Sequence, residues 1–138
     1  MKTKVSQSSC YDLEVDYTKN RVYLTILKKW SAEDGNKEFS DFSLEWQTII
    51  SKITVDFTII CDVRLMPVLS RQMVEVFENM QEYVTKNGLC HLAEIVAEDD
   101  IPNLQMARIS ERSGIPLSRF QSYELADKYL DKFLEECI

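Results

Sequence analysis

Apolar and polar residues alternate without a break over residues 11–17, with Tyr11, Leu13, Val15 and Tyr17 on one side and Asp12, Glu14 and Asp16 on the other. A period of two is that of a strand with one wet face. Lys19 and Asn20 turn the chain into residues 21–27, where Val22, Leu24 and Ile26 oppose Tyr23, Thr25 and Leu27, so this second strand reads as buried on both sides. The hairpin so formed has an acidic outer strand, which predicts a sheet edge protected by charge. Phe39, Phe42, Trp46, Ile49, Ile50 and Ile53 then follow at spacings of 3, 4, 3, 1 and 3, a single apolar stripe at helical period. Ser31 and Asp34 offer an approximate capping box ahead of that helix, and Gly35 weakens its first turn.

The pattern changes again at residues 57–63, a nearly unbroken apolar run rich in β-branched side chains, as expected of a strand at the centre of a sheet. It stops at residues 64–69, which hold Pro67, and Ser70 stands where a helix N-cap belongs. Met73, Phe77, Met80 and Val84 carry the next helix to Gly88, a left-handed stop. Residues 91–97 form a strand whose Glu94 suggests a face partly open to water. Pro102 opens a helix holding Leu104, Ala107 and Ile109, which Gly114 and Pro116 close. Residues 117–121 read as a weak edge strand, and a last helix from Ser122 turns Leu125, Ala126, Tyr129, Leu130, Phe133 and Leu134 inward.

The predicted fold is therefore α/β, with one mixed five-stranded sheet. Strands two to five run parallel through right-handed crossovers, and strand one is the antiparallel hairpin partner. Four helices lie mainly on one face. Residues 11–138 form a single domain behind a loosely held segment 1–10, and a chain of 138 residues is long enough to bury a core without staples. The net charge of −7 disfavours nucleic acid and anionic membranes as partners. No apolar run reaches the roughly 18 residues of a membrane span, and the first ten residues lack a secretory apolar core, so a cytoplasmic protein is expected.

Candidate chemistry is sparse. Asp62, Arg64, Ser70, Glu98, Asp99 and Asp100 should converge where the parallel strands end, and clustered carboxylates could bind Mg²⁺ or act as acid and base. Each has a plainer role: Ser70 and Asp99 or Asp100 as helix caps, Asp62 with Arg64 as a local pair. His91 sits at the far end of its strand, so no Ser-His-Asp arrangement is supported. Cys10, Cys61, Cys90 and Cys137 are scattered and form no metal or redox motif, and the three glycines build no phosphate loop. The expectation is a protein without catalytic residues, metal or cofactor.

Three stretches then resemble the STAS superfamily, named for sulfate transporters and bacterial anti-sigma-factor antagonists, and within it the SpoIIAA-like branch. They are Ile59-Ile60-Cys61-Asp62-Val63-Arg64, Ser113-Gly114-Ile115, and Arg119-Phe120-Gln121-Ser122-Tyr123-Glu124-Leu125-Ala126. The resemblance implies a (βα) superhelix, a fold shared with lipid-binding CRAL-TRIO domains. It also implies a regulatory role, in which an Asp-Ser-Ser-Gly stretch after the central strand carries a phosphorylated serine. Here the corresponding residues read Leu69-Ser70-Arg71-Gln72, so the acceptor motif is missing and Ser70 is a weak candidate phosphoacceptor beside its plainer role as N-cap.

Two functions fit. The first is an interaction module that docks a protein partner through Arg64, Leu65, Met66, Val68, Leu69, Ser70 and Arg71, a loop unusually apolar for its position. The plainer role for its apolar residues is to fold over the core. The second is a small apolar ligand or lipid between helices and sheet, lined by Phe39, Phe42, Trp46, Phe77 and Met80, for which core packing is the plainer role. An exposed edge or helix patch leaves room for a homodimer.

Overall fold

The computed structural model describes residues 2–28, 30, 35–97 and 100–136. Its elements are β1 (Thr3–Gln7), β2 (Tyr11–Asp16), β3 (Arg21–Ile26), α1 (Gly35–Lys52), β4 (Phe57–Asp62), α2 (Arg71–Lys86), β5 (Leu89–Ile95), α3 (Ile101–Ser113), β6 (Leu117–Phe120), α4 (Tyr123–Asp131) and the short α5 (Phe133–Glu136). One mixed sheet runs in the order β1-β2-β3-β4-β5-β6. The β1, β2 and β3 pairings are antiparallel, and β3 to β6 are parallel.

The sheet has six strands where five are expected, and this changes its order at one side. Residues 3–7, expected to be loosely held, pair with β2 as a true edge strand. The acidic strand is thus internal, and the Lys4 ammonium lies 3.4 Å from Asp12 and 3.3 Å from Glu14. Lys4 supplies the charge partner that makes an acidic face acceptable beside another strand. The expected capping box at Ser31 and Asp34 lies outside the described residues.

Strand parity sorts the core. Val22, Leu24, Ile59, Cys61 and Leu92 face α1, α2 and α3, joined there by Phe42, Trp46, Ile49, Met73, Phe77 and Ile109. Tyr23, Ile60, Ala93 and Ile95 face the other way and are covered by Ala126 and Leu130 of α4. All six residues of β4 are buried, as its apolar run requires. Three of the four expected helices, α1, α2 and α3, share one face, and the exception is α4. It leaves the β6 edge with no further strand to cross to, and the bare second face offers apolar surface that needs cover. With the C-terminal helices turned this way, Leu125 and Leu134 are exposed rather than inward.

Ser70 caps α2 as read, Asp100 caps α3 as one of the two acidic residues offered for it, and Ser122, read only as the start of the last helix, caps α4; their side chains accept from Met73 N, Asn103 N and Leu125 N. Gly88 has φ +102°, and a Cβ there would meet Val55 at 3.0 Å, so both conformation and space require glycine. Cys10 and Cys61 are buried, as small apolar side chains would be, whereas Cys90 is disulfide-bonded.

Candidate functional site

Residues 64–70 leave β4 at the carboxyl ends of the parallel strands, where crevices form in open α/β sheets. The strand's last bond is Val63 N–H to the Ile95 carbonyl at 3.0 Å, and a turn follows in which Met66 N–H donates to the Val63 carbonyl at 3.3 Å. Asp62 is fully engaged locally. One carboxylate oxygen accepts from Arg64 N and Nε, at 3.1 and 3.0 Å, and the other accepts from Nη2 at 2.8 Å. Those bonds raise the Arg64 guanidinium above its ordinary value.

The loop's apolar residues divide. Met66 and Leu69 are buried in the main core, whereas Leu65 and Val68 are 49% and 60% exposed. Leu69 is what anchors the loop: its N–H donates to Gln105 Oε1 at 2.7 Å, and its carbonyl accepts from Gln105 Nε2 at 3.0 Å. Gln105 lies on α3, and the first turn of that helix exposes Ile101 (62%) and Leu104 (55%). The site therefore joins four exposed apolar side chains on two neighbouring segments, with Arg64 and Arg71 beside them.

Sequence reasoning missed Gln105, which carries no local signal, and missed Ile101 and Leu104. Their spacing of three is the signature of an apolar helix stripe, but it does not say whether the stripe is covered. Replacing Gln105 by alanine removes both bonds to Leu69. At a net contribution of about 1 kcal/mol per bond, the Leu69 amide is expected to exchange with solvent at least about tenfold faster, read by hydrogen exchange. Unchanged protection at Leu69 would mean that Met66 and Leu69 burial alone holds the loop.

Of the acidic groups expected to converge here, Asp62 is paired and Asp100 caps α3, accepting from Asn103 N at 3.0 Å and Asn103 Nδ2 at 2.8 Å. Glu98 and Asp99 lie outside the described residues. Ser70 Oγ accepts from Met73 N at 3.2 Å. His91 is remote from all of them: its Nε2 lies 2.9 Å from Ser118 Oγ, its ring stacks on Phe133 at 4.8 Å, and burial lowers its pKa. Glu94, expected on a wet face, is buried on the α1–α3 side, where it accepts from Arg119 Nε at 3.3 Å.

A second feature lies between α1 and α2, a cavity of about 260 Å³. Four of the five expected lining residues, Phe39, Phe42, Trp46 and Met80, form its wall with Val76 and Tyr83. Phe77 does not. It turns instead into the aromatic cluster, 5.3 Å from Trp30 and 6.1 Å from Phe42 between ring centroids.

No family model matches the chain, and no curated protein matches it. Among solved structures it is similar to SiaC of Pseudomonas aeruginosa, with a TM-score of 0.53 and 10% identity over 87% of this chain and 99% of that one. The apo form of SiaC from the same organism gives 0.52 and 12% identity, over 86% and 98%. At such identity the likeness is one of fold. Among the described residues no helix is long and apolar enough to cross a membrane.

Proposed function

We propose that this chain is a non-catalytic, STAS-like regulatory module that docks a protein partner through residues 64–71, extended by Ile101 and Leu104. The observation that carries the reading is the exposure of Leu65, Val68, Ile101 and Leu104 at one end of the sheet, on segments tied together by Gln105. Isolated exposed apolar residues are ordinary on a soluble protein, whereas several held together on an ordered loop and a helix start suit an interface. The fold shared with SiaC supports it, as do the sequence motifs at residues 59–64 and 119–126. Arg64 is neutralised by Asp62, which leaves Arg71 as the positive charge beside the patch on a protein of net charge −7, so the partner surface we infer is apolar with an acidic group at its rim.

The test is the double variant Leu65→Asp/Val68→Asp. Both side chains are exposed, so the unfolding free energy should stay within about 0.5 kcal/mol of the parent. Affinity for the partner that co-purifies with the chain from its own host is expected to fall about thirtyfold or more, as for a central interface residue. If the partner is a second copy of this chain, the variant converts a dimer to a monomer in sedimentation. A stable variant that binds its partner as before would remove the loop from the interface and sink the reading.

A further inference from the structure

We propose that the faces of Tyr23 and Tyr123 form a binding site for a quaternary ammonium group of the choline type, a site that the chain's own Lys2 fills in this structure. The Lys2 Nζ lies over the Tyr23 ring, 4.0 Å from its centroid, and 5.7 Å from the centroid of Tyr123. A cation within about 6 Å of an aromatic centroid is attracted by the negative face of the ring. One ammonium thus addresses two rings, one from β3 and one from the first residue of α4.

Both rings are fixed from their hydroxyl ends, which leaves their faces to the cation. Tyr23 donates to Asp127 Oδ1 at 3.2 Å, and the Tyr123 hydroxyl pairs with Thr25 Oγ1 at 3.1 Å. The strand register then sets acid beside them. Glu14 lies directly opposite Tyr23 and Asp12 directly opposite Thr25, so these four side chains share one face of the sheet. Lys4 pairs with both carboxylates and offsets one of their two charges. Arg64, which also acts on Tyr123, is engaged by both carboxylate oxygens of Asp62. The surface therefore draws a cation and repels an anion.

The size of the head group decides between cations. A lysine ammonium is compact and strongly hydrated, and here it touches one ring while standing off from the other. A trimethylammonium head is wider and spreads its charge over methyl groups, so it packs against both ring faces and gives up less hydration. A metal ion lacks ligands: among the described residues no group of three His, Cys, Asp or Glu side chains could hold one. Lys2 precedes β1 and is exposed, so it can leave the rings without unpacking the core. It acts as a tethered competitor, at the effective concentration set by its short link to β1.

Choline and its neutral carbon isostere 3,3-dimethylbutanol are the probes, alike in shape and differing in the charged nitrogen. Binding is read at matched ionic strength from the ring signals of the full chain carrying isotope-labelled tyrosine, with Tyr23→Phe and Tyr123→Phe identifying the two signals. In Lys2→Gln, choline is expected to move both signals saturably and to bind about threefold to tenfold more tightly than in the parent, the worth of one displaced cation–aromatic contact. The isostere should bind at least about threefold more weakly than choline. In the Lys2→Gln background, Tyr123→Phe keeps a ring face and should retain choline, whereas Tyr123→Leu should lose it. The proposal is overturned by the absence of a saturable choline shift in Lys2→Gln, by affinity no higher there than in the parent, or by an isostere that binds as well as choline. Choline binding that survives Tyr123→Leu, or that is lost in Tyr123→Phe, overturns it too.

Discussion

Replacing Asp127 and Asp131 together by alanine is expected to lower the unfolding free energy by about 3–5 kcal/mol, the cost of leaving a buried charge without its partner. That charge is Arg21, whose side chain is 0% exposed while the two aspartates are 32% and 47% exposed. Its Nη1 donates to Asp127 Oδ1 at 2.6 Å and to Asp131 Oδ1 at 3.0 Å, and its Nε donates to Thr58 Oγ1 at 3.0 Å. Tyr23 adds a hydroxyl to Asp127 at 3.2 Å, and burial followed by the Asp127 charge pushes that phenol up to about 12. Because α4 supplies both carboxylates and β3 the guanidinium, the cluster fastens the helix to the second face of the sheet.

The asymmetry of burial makes the prediction directional. Without the aspartates, the buried guanidinium keeps only the Thr58 hydroxyl and, at 3.5 Å, the backbone carbonyl of residue 127 as protein partners, and no counter-charge. Without the guanidinium, half-exposed carboxylates simply rehydrate, so Arg21→Met should lose only about 1 kcal/mol, close to the worth of the Thr58 bond. Alanine also propagates a helix better than aspartate by about half a kcal/mol at each site, which works against the predicted loss, so the measured loss is a lower bound on the cost of stranding the charge. Urea midpoints at unchanged slope measure both variants. Should Arg21→Met be the more damaging of the two, the cluster is held by packing of the arginine stem and the charge argument fails.

Glu94→Gln is expected to stabilise the protein at neutral pH and to flatten its stability-versus-pH curve. Burial raises the Glu94 carboxyl above its ordinary value, against the opposing pull of Arg119. The folded state then holds a proton that the unfolded state releases, so the contribution is full below the ordinary glutamate pKa. It is lost as pH rises through the raised, folded value, at about 1.4 kcal/mol for each tenfold difference in proton affinity between the folded and unfolded chain. Glutamine is neutral throughout and escapes that loss. Urea titrations from pH 4 to 8 should therefore show the variant gaining on the parent as pH rises. A gap that narrows instead would mean that the Arg119 bond outweighs burial. The same carboxylate, after burial, also pushes the neighbouring Cys61 thiol up, which keeps that cysteine protonated and unreactive.

Much of the candidate site follows from local chemistry. Ser70 and Asp100 could be assigned as caps because their side chains bond amides only three residues on, and the Asp62–Arg64 pair spans two residues. The cavity wall was legible to the extent that a helical stripe marks one side of α1. It failed at Phe77, because position on a stripe does not say whether a ring turns toward the neighbouring helix or down onto the sheet. The loop could be recognised as unusually apolar, but Met66 and Leu69 were separated from Leu65 and Val68 only by the chain's path over the core.

Features that depend on near neighbours could be read from the chain alone: the alternation of β2 and β3, the apolar run of β4, the stripes of α1 and α2, the caps, and the glycine stop at Gly88. Features that depend on surfaces meeting across the chain had to wait for the fold. Residues 3–7 hold one apolar side chain, Val5, too short a pattern to mark a strand, so it takes the free edge of β2, the packing of Val5 on the core and the charge match of Lys4 with Asp12 and Glu14 to make them one. Glu94 reads as solvent-facing until Arg119 is brought alongside by the β5–β6 register. The side taken by α4 has the same origin. A strand buried on both faces is equally apolar in either direction, and the choice fell to Arg21, whose partners lie more than a hundred residues away.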